Sequence, residues 1–230
     1  MPSESPSRLP GQPIRNRSRV RVRIAAVTAS LVTAGIIVSA GPVQAAPALA
    51  GSTPQTGALQ CRGKGVDPGA AVRYRSDILI KAPLRSIFTL QTDVEHWPTW
   101  QAPVLSMKRL DPGPLRKGSQ FRWTTPAPAT PTTPESTLEI TSTIRQLEND
   151  SCIRWTGPAV GDGLRIDEGV HVWTFTEVRG GVRVRTEESW TGAQVEADVP
   201  TATSLLGAGL DQWLRELKAA AKAGGDGPCR

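Results

Sequence analysis

The chain has 230 residues, room for one domain with flanking segments. Its net charge of +6 is concentrated at one end. Six arginines and one glutamate before residue 45 account for all but one of those charges, so the remainder lacks the basic footprint that a phosphate backbone requires, which excludes nucleic-acid binding. Seven Trp stand against three Phe and one Tyr. Trp combines a large apolar surface with one N–H to satisfy, so it suits a core and a ligand pocket equally.

In chain order, the basic stretch Arg15 to Arg23 is followed by a charge-free run from Ile24 to Ala40, then by small residues around Val43-Gln44-Ala45 and Ala48-Leu49-Ala50. That layout predicts a secretory signal peptide over residues 1–45, cleaved after Ala45 or, alternatively, Ala50. The apolar run of about 17 residues sits at the short end of what spans a bilayer, which leaves an uncleaved anchor as the other reading. Residues 46–71, rich in Ala, Pro, Gly, Ser and Thr, read as a mobile arm. Export places Cys61, Cys152 and Cys229 where disulfides persist. Cys61 and Cys229 flank the domain and are the proposed pair; Cys152, at a strand start, reads as a small buried hydrophobe. No cysteines have metal-site spacing, and His96 and His171 are the only histidines, so no metal is expected.

Val72, Tyr74, Ile78 and Ile80 alternate with Arg73, Arg75, Asp77 and Lys81, a half-buried first strand. Pro83 opens a short helix carrying Ile87, Phe88 and Leu90. Asp93 is placed to cap a second short helix over Val94 to Trp97, stopped by Pro98. Strands follow over Val104 to Leu110, around Phe121 and Trp123, from Leu138 through Ile140 to Ile144, and over Cys152 to Thr156. Loops with four prolines (126–134) and with Gly and Pro (157–163) separate them. Residues 169–178 and 182–191 then form a hairpin about Gly180-Gly181. A two-residue loop there pairs Arg179 with Val182, Trp173 with Glu188 and His171 with Trp190. One face carries His171, Trp173, Phe175, Val184, Glu188 and Trp190. It is the inner one, because the opposite choice buries Arg183 and Arg185. A last helix over Thr203 to Lys222 presents Leu206, Leu210, Trp213, Leu214 and Leu217 at helical spacing, with Gly224-Gly225 ending it.

The stretches Ala82-Pro83-Leu84-Arg85-Ser86-Ile87-Phe88 and Asp93-Val94-Glu95-His96-Trp97-Pro98-Thr99-Trp100, with His171-Val172-Trp173-Thr174-Phe175 and Glu187-Glu188-Ser189-Trp190-Thr191-Gly192, resemble the polyketide cyclase/START-like (SRPBCC) superfamily. The resemblance covers residues 72–223 and leaves 224–230 as a tail. It implies an α+β helix-grip fold: a curved seven-stranded antiparallel sheet around a long C-terminal helix, with two short helices after strand 1. It also implies a cavity between sheet and helix, and no cofactor. Such a scaffold hosts carriers and enzymes alike, so it does not choose between them. Aromatic polyketide cyclases work beside a cytosolic carrier protein. An exported chain is cut off from it, which favours a carrier of a small hydrophobic or amphipathic ligand such as a lipid or polyketide.

Glu188, flanked by Trp173 and Trp190 on the inner face and near His171, marks the candidate polar corner. A carboxyl desolvated there should have a raised pKa. The pair can serve as acid and base, anchor a ligand polar group, or belong to a structural network. The candidate ligand contacts are Phe121, Trp123, Ile140, Trp173, Phe175, Trp190, Leu206, Leu210 and Trp213. The competing functions are a cyclase/dehydratase or hydrolase-like enzyme using Glu188 and His171, and an envelope domain that binds a protein. The polar outer faces speak against the latter.

Overall fold

The computed structural model describes residues 57–225. The expected signal peptide, the first part of the arm and Cys229 lie outside these residues. Among the described residues no helix is long and apolar enough to cross a membrane.

The elements run β1 (Val72–Ile80), α1 (Leu84–Thr92), a 3-10 turn (Val94–Thr99), β2 (Ser106–Arg109), β3 (Gln120–Ala127), β4 (Ser136–Glu148), β5 (Cys152–Gly161), β6 (Leu164–Val178), β7 (Gly181–Thr191), α2 (Ala193–Glu196) and α3 (Val199–Gly225). The strands form one antiparallel sheet in the order β1-β7-β6-β5-β4-β3-β2. This is the expected α+β helix-grip arrangement. The alternation in β1 shows why it forms: each inward residue packs toward α3 while its neighbours face outward.

Two apolar clusters divide the space between sheet and helix. One is solid, built around Trp97, whose ring meets Phe121 edge-on at 5.4 Å and Trp213 at 4.9 Å, and whose indole N–H donates to the Gln91 carbonyl at 3.1 Å. Leu214, Leu217 and Ala221, on the second half of α3, close it. Aromatic pairs of this kind add about 0.5–1.5 kcal/mol each beyond burial. The other cluster joins Val72, Leu138 and Ile166 to Leu206 and Leu210 on the first half of α3. Gly207 lets the helix lie close on β1, since a Cβ there would meet the Tyr74 ring at 2.8 Å.

The structure corrects several expectations. Asp93 makes no side-chain cap; its carboxylate pairs with His96 Nδ1 at 2.8 Å instead, and Pro98 lies inside the 3-10 turn. Segment 157–163 is largely strand: β5 continues past Gly157 through a register shift. The β6–β7 register is two residues from the expected one. Val178 pairs with Gly181, so the loop is Arg179-Gly180, and His171 faces Glu188. Gly180 alone serves that turn, at φ 93°. Gly181 is required for another reason, because a Cβ on it would meet the Ile80 carbonyl oxygen of β1 at 2.4 Å. A shift by two leaves every side chain on its expected face.

The described part of the arm is packed, not mobile. Leu59, Cys61, Val66 and Ala70 are buried, and Leu59, Cys61 and Val66 sit against Cys152, Val170 and Val172 on the outer face of the sheet. Cys61 is bridged to Cys152 with Cα atoms 5.5 Å apart, which overturns the Cys61–Cys229 pairing. The arm also accounts for Glu187, an outward carboxylate that is nonetheless buried. Its Oε2 accepts the Leu59 amide at 2.9 Å and the Arg75 guanidinium at 2.9 and 3.2 Å.

Candidate functional site

Between the sheet and the first half of α3 lies a cavity of about 400 Å3, within the range of small-molecule sites. The sheet supplies the floor, including Trp123, Ile140, Trp155 and Trp190. Leu206, Leu210 and Trp213 form the roof. The β3–β4 loop, with Pro128, Thr130 and Thr133, and Gln194 and Val195 of α2 complete the wall.

The polar corner is built by the β6–β7 pairing. Because His171 stands directly opposite Glu188, His171 Nδ1 lies 3.0 Å from Glu188 Oε2. The other carboxylate oxygen, Oε1, accepts the Trp190 indole N–H at 2.8 Å. On its far side His171 Nε2 meets Thr186 Oγ1 at 2.7 Å. With Nδ1–H donating to the carboxylate, Nε2 is left as the acceptor for the Thr186 hydroxyl, so one neutral tautomer satisfies the whole chain.

Burial sets the protonation of the pair. Desolvation pushes Glu188 up to about 7, against the opposing Trp190 hydrogen bond. It pushes His171 down to about 3, so the imidazole is neutral. The Glu188 side chain nevertheless keeps 17% of its surface exposed, and the residue lines the cavity. Its carboxyl is therefore the titratable group of the pair available to an occupant.

Thr186, His171 and Glu188 resemble a hydroxyl–imidazole–carboxylate triad in their contacts. Thr186 is wholly buried and absent from the cavity wall, and its histidine is too weak a base, so it cannot serve as a nucleophile there. The hydroxyl instead fixes the ring that fixes Glu188.

Of the sequence-predicted contacts, Trp123, Ile140, Trp190, Leu206, Leu210 and Trp213 line the cavity, together with Glu188 and His171. Phe121, Trp173 and Phe175 do not. They belong to the solid cluster, where Phe175 meets Phe88 edge-on at 5.3 Å and Trp173 is fully buried. Sequence reasoning missed Trp155, whose ring lies 4.7 Å from the His171 ring. It also missed the facing glycines Gly157 and Gly169, which leave the floor bare beside Glu188. A Cβ on Gly169 would lie 3.5 Å from Glu188 Oε1. An isolated glycine inside a strand pattern is the signal that could have marked both. Among the described residues, no group of three or more His, Cys, Asp or Glu is placed to hold a metal ion.

An antiparallel sheet gripping a long helix over a cavity defines a helix-grip protein. Residues 71–222 match the family model described as polyketide cyclase/dehydrase and lipid transport, and the chain belongs to that family. None of the curated proteins matches the chain. Among solved structures it is similar to a hypothetical protein of Helicobacter pylori, with TM-score 0.55, 16% identity, and coverage of 74% of this chain and 99% of that one. It is also similar to a protein of Thermus thermophilus, with TM-score 0.52, 17% identity and coverage of 66% and 98%. A START superfamily protein of Mycobacterium smegmatis gives TM-score 0.51, 12% identity and coverage of 66% and 97%. At these identities the likeness establishes the fold and nothing finer.

Proposed function

We propose that the chain is an exported binding protein for a small hydrophobic or amphipathic molecule held between the sheet and α3. The observation that carries this reading is the 400 Å3 cavity, apolar over most of its wall and furnished with a largely buried carboxyl at Glu188. The family's description, which includes lipid transport, agrees with it. The leader pattern of residues 1–45 supports export, and so does the Cys61–Cys152 bridge, since such bonds persist in oxidising compartments. Native mass spectrometry of protein from its own host, combined with displacement of a lipophilic dye, tests the reading. A bound small molecule or dye displacement is the expected result; protein that is empty and displaces nothing refutes it.

A second reading has its own support. A cavity-facing carboxyl with its pKa near 7 suits general acid–base catalysis of the cyclase/dehydratase kind. Glu188 would then exchange the proton, and His171, neutral and buried, would position it. If Glu188→Gln keeps binding but abolishes turnover of a candidate substrate, the protein is an enzyme.

A further inference from the structure

The charges that face the cavity are all of one sign. Among the described residues its wall carries Glu188 and Asp198 and neither lysine nor arginine. Hydrogen bonding from the Thr201 side chain, and from its amide at 3.1 Å, holds the Asp198 carboxyl below the usual range, so it is ionised. His171 adds no positive charge, since burial keeps its ring neutral. Above about pH 7, where Glu188 too is ionised, an anionic amphiphile such as a fatty acid would therefore meet like charge and find no cation to pair with.

The Glu188 carboxylate is also incompletely used. A carboxylate offers about four lone-pair sites. Each of its oxygens has one protein hydrogen-bond partner, Trp190 Nε1 for Oε1 and His171 Nδ1 for Oε2, and the side chain keeps an exposed edge. Four tryptophans, Trp123, Trp155, Trp190 and Trp213, line the same space. Indole faces attract cations as well as apolar groups.

We propose that the cavity takes an apolar molecule bearing a protonated amine, with the ammonium against the Glu188 carboxylate and the apolar body among the tryptophans. This rests on the binding role proposed above and names the ligand class within it. The ammonium supplies the positive partner that the fold withholds from a desolvated carboxylate. It donates to the free lone pairs without displacing Trp190 or His171. A neutral alcohol can make one of those hydrogen bonds but brings no charge, and a carboxylic acid brings the wrong one.

Three probes that share one apolar body test this: 1-naphthylmethylamine, 1-naphthalenemethanol and 1-naphthoic acid. Their binding to the wild-type protein is measured by calorimetry at about pH 8, where Glu188 and the acid probe are ionised and the amine is protonated. The expected ranking has the amine at least about tenfold tighter than the alcohol, a difference of about 1.4 kcal/mol, and the acid weakest. In Glu188→Gln the amine should fall to within about threefold of the alcohol, whose own affinity holds. The wild-type ranking decides even if that variant folds poorly. An alcohol that matches the amine, an acid that binds as well as the amine, or an amine preference that survives Glu188→Gln overturns the proposal while leaving hydrophobic binding intact. Failure of all three probes to bind removes both.

Discussion

Replacing Glu188 by glutamine should make the protein more stable at neutral and alkaline pH. In the folded wild type the carboxyl keeps its proton up to about 7, whereas in the unfolded chain it releases it near 4.5. Across that window the folded state binds the extra proton, so stability falls as pH rises. At about 1.4 kcal/mol per pH unit, the loss comes to about 3 kcal/mol once both states are ionised. The buried His171 works in the opposite sense. Its pKa of about 3 in the fold, against 6.5 ordinarily, means that stability is lost as pH falls through that range. The two slopes oppose each other between about 4.5 and 6.5, and the wild-type profile is nearly flat there. Glutamine keeps the geometry: its carbonyl accepts from Trp190 and its amide donates to His171 Nδ1, while the ring turns its other N–H to Thr186. The variant therefore shows the histidine slope alone. Its advantage over the wild type should grow from near zero at about pH 4.5 to about 3 kcal/mol at pH 8. Urea unfolding at a series of pH values, followed by tryptophan fluorescence, measures it. A difference that stays constant across the series to within about 1 kcal/mol would refute the assigned desolvation of Glu188.

The two floor glycines should behave differently. Gly169→Ala places a methyl group beside Glu188 at ordinary contact distance and should fold while weakening 1-naphthylmethylamine binding at least about tenfold, read by calorimetry. Gly157→Ala puts a Cβ 1.8 Å from the Thr141 carbonyl oxygen and should cost about 3 kcal/mol or more, read by urea unfolding. Reduction of Cys61–Cys152, with a sequence separation of 91, should cost about 4.6 kcal/mol of stability on chain-entropy grounds. Probe affinity should remain within about threefold of the oxidised protein, because the arm lies on the outer face of the sheet, away from the cavity.

Much of the fold is written locally. Alternation in β1, β6 and β7 assigns the inner face correctly, because putting Arg183 and Arg185 inside is too costly to compete. The β6–β7 register was not legible, since the Gly180-Gly181 pair looks like a loop when only Gly180 serves the turn. The second glycine answers to a backbone far away in sequence, at Ile80. The arm was misread for a similar reason. Its four buried residues are scattered among Gly, Pro and Lys, and only a facing surface makes a pattern of them. The division of the aromatics was equally hidden: Trp173 and Trp190 look alike along a strand, yet one fills the solid cluster and the other lines the cavity. That partition depends on where α3 lies across the sheet.

The Cys61–Cys152 bridge also fixes how the domain carries mechanical load. It short-circuits the chain between the arm and β5. A pull applied through the segment before residue 61 and the end of α3 runs covalently from Cys61 straight to Cys152. It then passes through β5, β6 and β7 to the helix. Strands β1 to β4, α1 and the Trp97 turn hang on a closed ring that carries no tension along its backbone. Under such a pull β5 and the hairpin that holds Glu188 and His171 carry the tension, and the segment from β1 to β4, with Trp97 and Trp123, is the part kept slack.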